Sequence, residues 1–245
     1  MNKLILNIIF AFLLMLFLAC SDNANNRKAA RLKIFNATSN SIDANLESKS
    51  EDHPAFKVAE FNSSEYESLI PDIYKLSLNT NNQPIIQRKI GLSSGEDYTL
   101  IFYGKPEFSS EVNEATFSHK LHYVFEGAEN YTKNAYFPGT IVFRDNIKLK
   151  KGTSALRAFH AAPKIAPVTI KIKAKKSSMA LAKNLAYGKP VLSKHMKSGY
   201  KTIEVFMAGS SNPIIKQDYE FKSQKTYILV IEGGSQKPNL KILKN

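Results

Sequence analysis

Alternation of apolar and polar positions is the clearest pattern along the chain. VTIKIKAKK sets Val168, Ile170, Ile172 and Ala174 on one side and Thr169, Lys171, Lys173 and Lys175 on the other. A period of two marks a strand half buried against a core. YTLIFYG (98–104) and YILVIEG (227–233) are short, β-branched and aromatic, and each ends at glycine, which also predicts strands. YKTIEVFMAGSSNPII reads as strand, turn, strand, with Gly209 to Pro213 as the turn signal. No segment makes a capped amphipathic helix. The best candidate, SSMALAKNLAYG (177–188), reads equally as a loop and a short strand. Many short strands between turn signals predict an all-β protein of antiparallel sandwiches.

The pattern occurs twice. LKIFNATSNSIDANL aligns with LRAFHAAPKIAPVTI, placing Phe35 on Phe159 and Ala37 on Ala161. QPIIQRKIGLSSGEDYTLIFYG (83–104) lies without a gap on NPIIKQDYEFKSQKTYILVIEG (212–233), matching Pro84, Tyr98, Leu100 and Gly104 to Pro213, Tyr227, Leu229 and Gly233. The two blocks are offset by 124 and 129 positions, a period that marks a duplicated domain and not a solenoid. The boundaries expected are 31–150 for the first copy and 151–245 for the second, with 105–137 lacking a counterpart.

The second copy also carries a resemblance. LRAFHAAPKIAPVTIKI (156–172), NLAYGKPV (184–191), TIEVFMAGSSNPII (202–215) and KTYILVIEG (225–233) resemble the bacterial domain family of unknown function 4397. The shared marks are a strand ending in His-Ala-x-Pro, a Leu-Ala-Tyr-Gly step and a closing Tyr-containing strand. The first copy departs from them, with Asn36 for His160, Ser39 for Pro163 and Phe61-Asn62 for Tyr187-Gly188. The resemblance implies exported immunoglobulin-like sandwiches in tandem and implies no catalytic residues.

The N-terminus adds an address. Lys3 precedes a run from Leu4 to Leu18 that is apolar except for Asn7, and Ala19-Cys20 closes it. That layout resembles a bacterial lipoprotein signal peptide, which implies removal of residues 1–19 and acylation of Cys20. The run is shorter than the roughly 18 residues of a spanning helix. Residues 20–30 read as a polar tether. The expected location is the bacterial cell membrane or outer membrane, on the periplasmic or the exposed face, with the first copy beside the membrane and the second distal. Cys20 is the only cysteine, so no disulfide staples the exported fold and its stability must come from burial.

Charge separates the copies. Cys20 to Phe143 carries 12 Lys+Arg and 16 Asp+Glu, whereas Arg144 to Asn245 carries 21 and 5. Such asymmetry points to a surface in the second half that meets anions. Lys171, Lys173, Lys175 and Lys176 are the candidate contact. They read equally as a solvated strand face guarded against edge pairing. Lysine presents point charges without the fork of arginine, which suits a diffuse anionic glycan or lipid. Nucleic acid is disfavoured, because no aromatic stacking platform accompanies the basic run.

Catalytic and metal patterns fail on context. Gly91-Leu-Ser-Ser-Gly95 matches the Gly-x-Ser-x-Gly elbow, but it leads into a strand and not a helix, so a β-turn is expected. Ser198-Gly-Tyr-Lys201 matches Ser-x-x-Lys without its helix or companion motifs. His119 and His122 fall on opposite faces of a predicted strand and share no metal ion. His53 lies in a solvated acidic loop, and His195 sits among lysines. His160 is expected to bond backbone where its strand turns toward Pro163, a role that Asn36 can share. The chain therefore reads as a non-enzymatic, membrane-anchored binding or adhesion module without cofactor or metal. Its second repeat would contact an anionic envelope or host component. The alternative is an assembly spacer that holds a partner protein through the first repeat, at 105–137.

Overall fold

A computed structural model describes residues 28–49, 54–106, 136–175, 177–233 and 238–245. The expectations for Cys20, His53, His119, His122 and Lys176, and for most of 105–137, fall outside these residues. The described residues form two β-sandwiches without an α-helix. The first holds β1 (Ala30–Asn36), β2 (Ile42–Glu47), β3 (Ala55–Val58), β4 (Glu67–Leu69), β5 (Ile73–Thr80), β6 (Gln83–Gly91), β7 (Asp97–Tyr103) and β8 (Gly139–Arg144). The second holds β9 (Thr153–His160), β10 (Val168–Ala174), β11 (Ser177–Leu185), β12 (Pro190–Lys197), β13 (Gly199–Met207), β14 (Ile215–Phe221), β15 (Thr226–Glu232) and β16 (Asn239–Lys244). The ambiguous segment at 177–188 is thus mostly strand.

The duplication is visible in the strand orders. One sheet of each sandwich runs β3-β2-β5-β6 or β11-β10-β13-β14, and the other β4-β1-β7-β8 or β12-β9-β15-β16. Each sandwich departs from the antiparallel expectation once. β1 pairs parallel with β7, from Arg31↔Asp97 to Asn36↔Phe102, and β9 parallel with β15, from Ala155↔Thr226 to His160↔Ile231. β1 and β7, like β9 and β15, start from the same end, so meeting at the sheet centre makes them parallel.

A matched tyrosine pins each repeat. The Tyr98 hydroxyl accepts the Ser93 N–H at 3.1 Å, and the Tyr227 hydroxyl accepts the Lys222 N–H at 2.8 Å. Each closes the turn before its own strand, much as a tyrosine corner does. Gly95, at φ +72°, completes the β-turn expected of Gly91–Gly95.

The central strands are buried on both faces, as in β15, where every residue from Thr226 to Glu232 is buried. Leu32, Ile34, Leu100 and Phe102 enter the first core, and Leu156, Ala158, Leu229 and Ile231 enter the second. Their neighbours Phe35, Ile101 and Tyr103 pack against Phe159, Ile228 and Val230 in a third core shared by both sandwiches. Tyr103 meets Phe159 edge-on at 4.9 Å and Tyr187 at 5.8 Å. Such pairs add about 0.5–1.5 kcal/mol each beyond burial. A sheet apolar on both faces must be covered on both. The sandwiches therefore lie flank to flank as four layers.

The seam has a polar end centred on Asp145, in the chain joining β8 to β9. Its carboxylate accepts from Thr99 Oγ1 at 2.7 Å, Tyr66 OH at 2.9 Å and Asn245 Nδ2 at 2.7 Å. Arg157 Nη1 lies 3.6 Å from Oδ1. Lys33 Nζ donates to the Lys244 carbonyl at 3.0 Å and to Asn245 Oδ1. Burial pushes the Asp145 carboxyl upward, while Thr99, Tyr66, Lys33 and Arg157 pull it back. Burial also lowers Lys33 and Arg157, against the attraction of Asp145. Residues from both sandwiches thus share one buried ionic cluster.

Candidate functional site: a lysine-bearing end

The candidate stripe on β10 is partly occupied. Lys171 lies over the Phe206 ring at 4.6 Å, and Lys173 Nζ is 2.7 Å from Glu204 Oε2. On the same face Thr202 Oγ1 donates to Asp218 Oδ1 at 2.6 Å. The face therefore mixes charges and is no bare cationic row. Lys175 differs, because it sits exposed at the tip of the β10–β11 hairpin.

That tip belongs to an end where several turns meet. The Ser198 N–H donates to the Gly152 carbonyl at 3.0 Å, and the Gln224 N–H donates to Thr153 at 2.7 Å. The Gly152 N–H donates to Ser223 Oγ at 2.8 Å. These bonds tie the interdomain link, the β12–β13 turn and the β14–β15 turn together. A hollow of about 290 Å³ lined by Ala174, Ser177, His195, Lys197 and Lys201 brings the β10–β11 hairpin to the same place. The link contributes Lys148, Lys150 and Lys151, all exposed. The two turns add exposed Lys197, Lys222 and Lys225. No acidic residue occurs in 146–152, 194–201 or 222–225. Lys201 is turned inward, donating to the carbonyls of Tyr200 at 3.3 Å and Ser198 at 3.5 Å.

The first sandwich shares this end. The Asp145 N–H donates to the Asp97 carbonyl at 2.7 Å, and Thr226 Oγ1 donates to the Asp145 carbonyl at 3.4 Å. The starts of β7 and β15 are thereby joined. Here charges cancel: Arg31 binds Asp97 through both carboxylate oxygens, at 2.7 and 2.5 Å. Arg144 binds Glu96 in the same two-pronged way. Each guanidinium is pushed up by its partner, and Arg144 draws Glu96 down. The Lys28 carbonyl accepts from the Gly95 N–H at 3.1 Å, so the described chain begins at this end.

At the opposite end stand the two matched positions Asn36 and His160. Asn36 Nδ2 donates to the carbonyls of Asn40, Ala59 and Val58 at 2.7, 3.2 and 3.3 Å. Its Oδ1 accepts from Thr38 N and Oγ1 at 3.0 and 2.8 Å. His160 is fully buried against Tyr187, with ring centroids 6.1 Å apart. Neither ring nitrogen makes a hydrogen bond of normal geometry. Burial drives its pKa down to about 4, opposed by the backbone of Ala166 and Ile165. Asn36 makes the backbone bonds expected at this position, and His160 faces the backbone of Ala166 and Ile165.

Glu232, missed in the sequence, is buried to 3 % exposure, with one oxygen on Asn239 at 3.3 Å and the other without a partner. Burial pushes it up to about 7, against Lys241 and Asn239. Among the described residues no group of three His, Cys, Asp or Glu side chains stands close enough to hold a metal ion. Ser93 lines an open hollow of about 560 Å³ whose one titratable side chain is Asp72.

No family model matches the chain, so the resemblance to the 4397 family rests on the quoted residues alone. No curated protein matches it either. Remote likenesses occur among solved structures. The C-terminally truncated tip fimbrial protein Mfa3 of Porphyromonas gingivalis is 9 % identical, over 89 % of this chain and 98 % of that one, at a TM-score of 0.28. A candidate cell adhesion protein of Bacteroides uniformis is 7 % identical, over 90 % and 98 %, at 0.29. Another from Bacteroides ovatus is 9 % identical, over 89 % and 96 %, at 0.23. Likeness at these scores carries no functional weight.

Proposed function

We propose that this chain is a lipid-anchored, non-enzymatic binding protein of the bacterial cell envelope. Its second sandwich meets an anionic component through the lysine-bearing end, and not through the β10 face. The observation that carries this reading is the convergence of acid-free, lysine-rich turns on one end. The lipoprotein-like N-terminus supports the anchor. Feeding cells a labelled fatty acid tests it: label should enter the wild type and be lost in Cys20→Ser. The contact is tested with the mature chain carrying Cys20→Ser, applied to immobilised heparin. Retention should weaken as salt rises and should fail when Lys150, Lys151, Lys222 and Lys225 are replaced by Glu. Replacing Lys164 and Lys189, which lie at the opposite end, should leave it unchanged. Equal retention by both variants, or retention indifferent to salt, would defeat the reading.

A second reading, the assembly spacer, is favoured by the position of 105–137. Its flanks meet at the end opposite Lys28, where the Lys105 N–H donates to the Tyr136 carbonyl at 2.8 Å. Deleting 107–135 should then abolish partner pull-down while the circular dichroism spectrum stays native.

A further inference from the structure

We infer that the lysine-bearing end is a membrane-docking face that seats both sandwiches end-on against the anionic phospholipid headgroups of the bilayer holding Cys20. The inference rests on the lipid-anchor reading and names the anionic component. Three features of the molecule lead there.

The first is the exit of the tether. The described chain starts at Lys28, bonded to the Gly95 turn at this same end. Residues 21–27 reach at most about 25 Å when extended at roughly 3.3 Å each. An acylated Cys20 therefore keeps this end within a short distance of the headgroups, while Asn36 and His160 occupy the other end.

The second is the distribution of exposed apolar side chains. Ile70, Ile73 and Tyr200 are 50, 64 and 76 % exposed, and Leu192, on β12, is the other large apolar side chain so exposed among the described residues. Ile70 and Ile73 flank the β5 start, where Ile73 pairs with Gly91 before the Ser93–Glu96 turn. Tyr200 follows the Ser198 turn that is bonded to Gly152. All three therefore share the end with the lysines. A soluble polyanion has no use for apolar side chains beside its cations. A bilayer interface takes both: basic side chains at the headgroups, and aromatic and aliphatic side chains at the acyl boundary.

The third is the net sign of the face. Glu96, Asp97 and Glu47 are paired with Arg144, Arg31 and Lys75, and Asp72 and Glu220 lie at its margins, against the lysines of the link and turns. Lysine stems can also lie along the interface while the ammonium stays at the phosphates.

The test exploits Cys20 as the only cysteine. The mature chain is coupled through Cys20 to a maleimide-bearing lipid, in vesicles of phosphatidylcholine alone or with 30 % phosphatidylglycerol. Each lysine's rate of modification by an amine-reactive reagent is then read by mass spectrometry. On the phosphatidylglycerol vesicles Lys150, Lys151, Lys222 and Lys225 should react at least threefold more slowly than on phosphatidylcholine, with Lys164 and Lys189 unchanged. Ile73→Ser with Tyr200→Ser should reduce that protection. Equal rates on both vesicles overturn docking. If heparin retention persists in that case, the anionic-contact reading survives alone; if it is lost too, both fall. Uniform slowing of all lysines would mean crowding at the surface and would also overturn docking.

Discussion

Asn36 and His160 fill one position of the repeat with different chemistry. Asn36 satisfies five backbone and side-chain partners around a strand end. Asn36→Ala leaves those buried groups unmade and should cost about 2–4 kcal/mol by urea denaturation, at the rate for orphaned hydrogen-bonding groups. His160 instead is buried neutral. With its folded pKa near 4, below the usual 6.5, it opposes folding as pH falls from about 6.5 toward 4, because the unfolded chain takes up the proton first. Glu232 acts in the other direction. Its folded pKa of about 7 exceeds the usual 4.5, so its contribution is fully present below about 4.5 and is lost as pH rises through 7. Glu232→Gln should remove that loss, with a difference between the two proteins growing to no more than about 3 kcal/mol between pH 5 and 8. That Asn36 and His160 share one position was legible in the aligned repeats, but their different bonding was not. Glu232 was not, because its apolar neighbours in YILVIEG give no hint of what covers the strand.

Among the elements, alternation identified β10 readily, since one face meets a core and the other meets water. The central strands were legible as strands but not as neighbours. Lys33, Thr99 and Arg157 interrupt apolar runs, and those interruptions are the polar seam. The lysine-bearing end was within reach of the sequence too. Strands alternate in direction, so every second turn shares an end; Lys175 follows β10, Lys197 closes β12 and Lys222 and Lys225 follow β14, whereas the turn after β13 holds no lysine. The β10 stripe drew attention because its lysines are contiguous, whereas the turns are scattered along the chain. Gly104 closes β7 at φ +105°, where an added Cβ would meet the Phe137 carbonyl and lie 2.6 Å from Pro138 Cα. Gly104→Ala should therefore cost about 3 kcal/mol, from positive-φ strain and the clash with backbone together, read as a lower thermal midpoint.

At the scale of the whole molecule, the third core makes one folding unit of two sandwiches. Calorimetry of the chain should give a single transition with matching calorimetric and van't Hoff enthalpies. Asp145→Ala leaves Lys33 and Arg157 buried without their carboxylate and should destabilise by about 3–5 kcal/mol, lowering the midpoint and separating the transitions. A sandwich expressed alone would expose Phe35, Ile101 and Phe143, or Phe159, Ile228 and Val230, and should self-associate in sedimentation. The two copies are therefore compared by substitution in the intact chain. The duplication itself was plain from the matched blocks, but their packing was not, because nothing in a strand's own residues names the sheet that covers it. The narrow neck between Lys105 and Tyr136, closed by its own hydrogen bond, has a practical consequence. With the chain pinned there, a change of length between Lys105 and Tyr136 costs only about 0.6 kcal/mol per doubling, so an insert placed between them should leave strand register undisturbed. That stretch is a natural grafting port, and on a bilayer-seated molecule a fluorophore or epitope spliced there would point outward into solution.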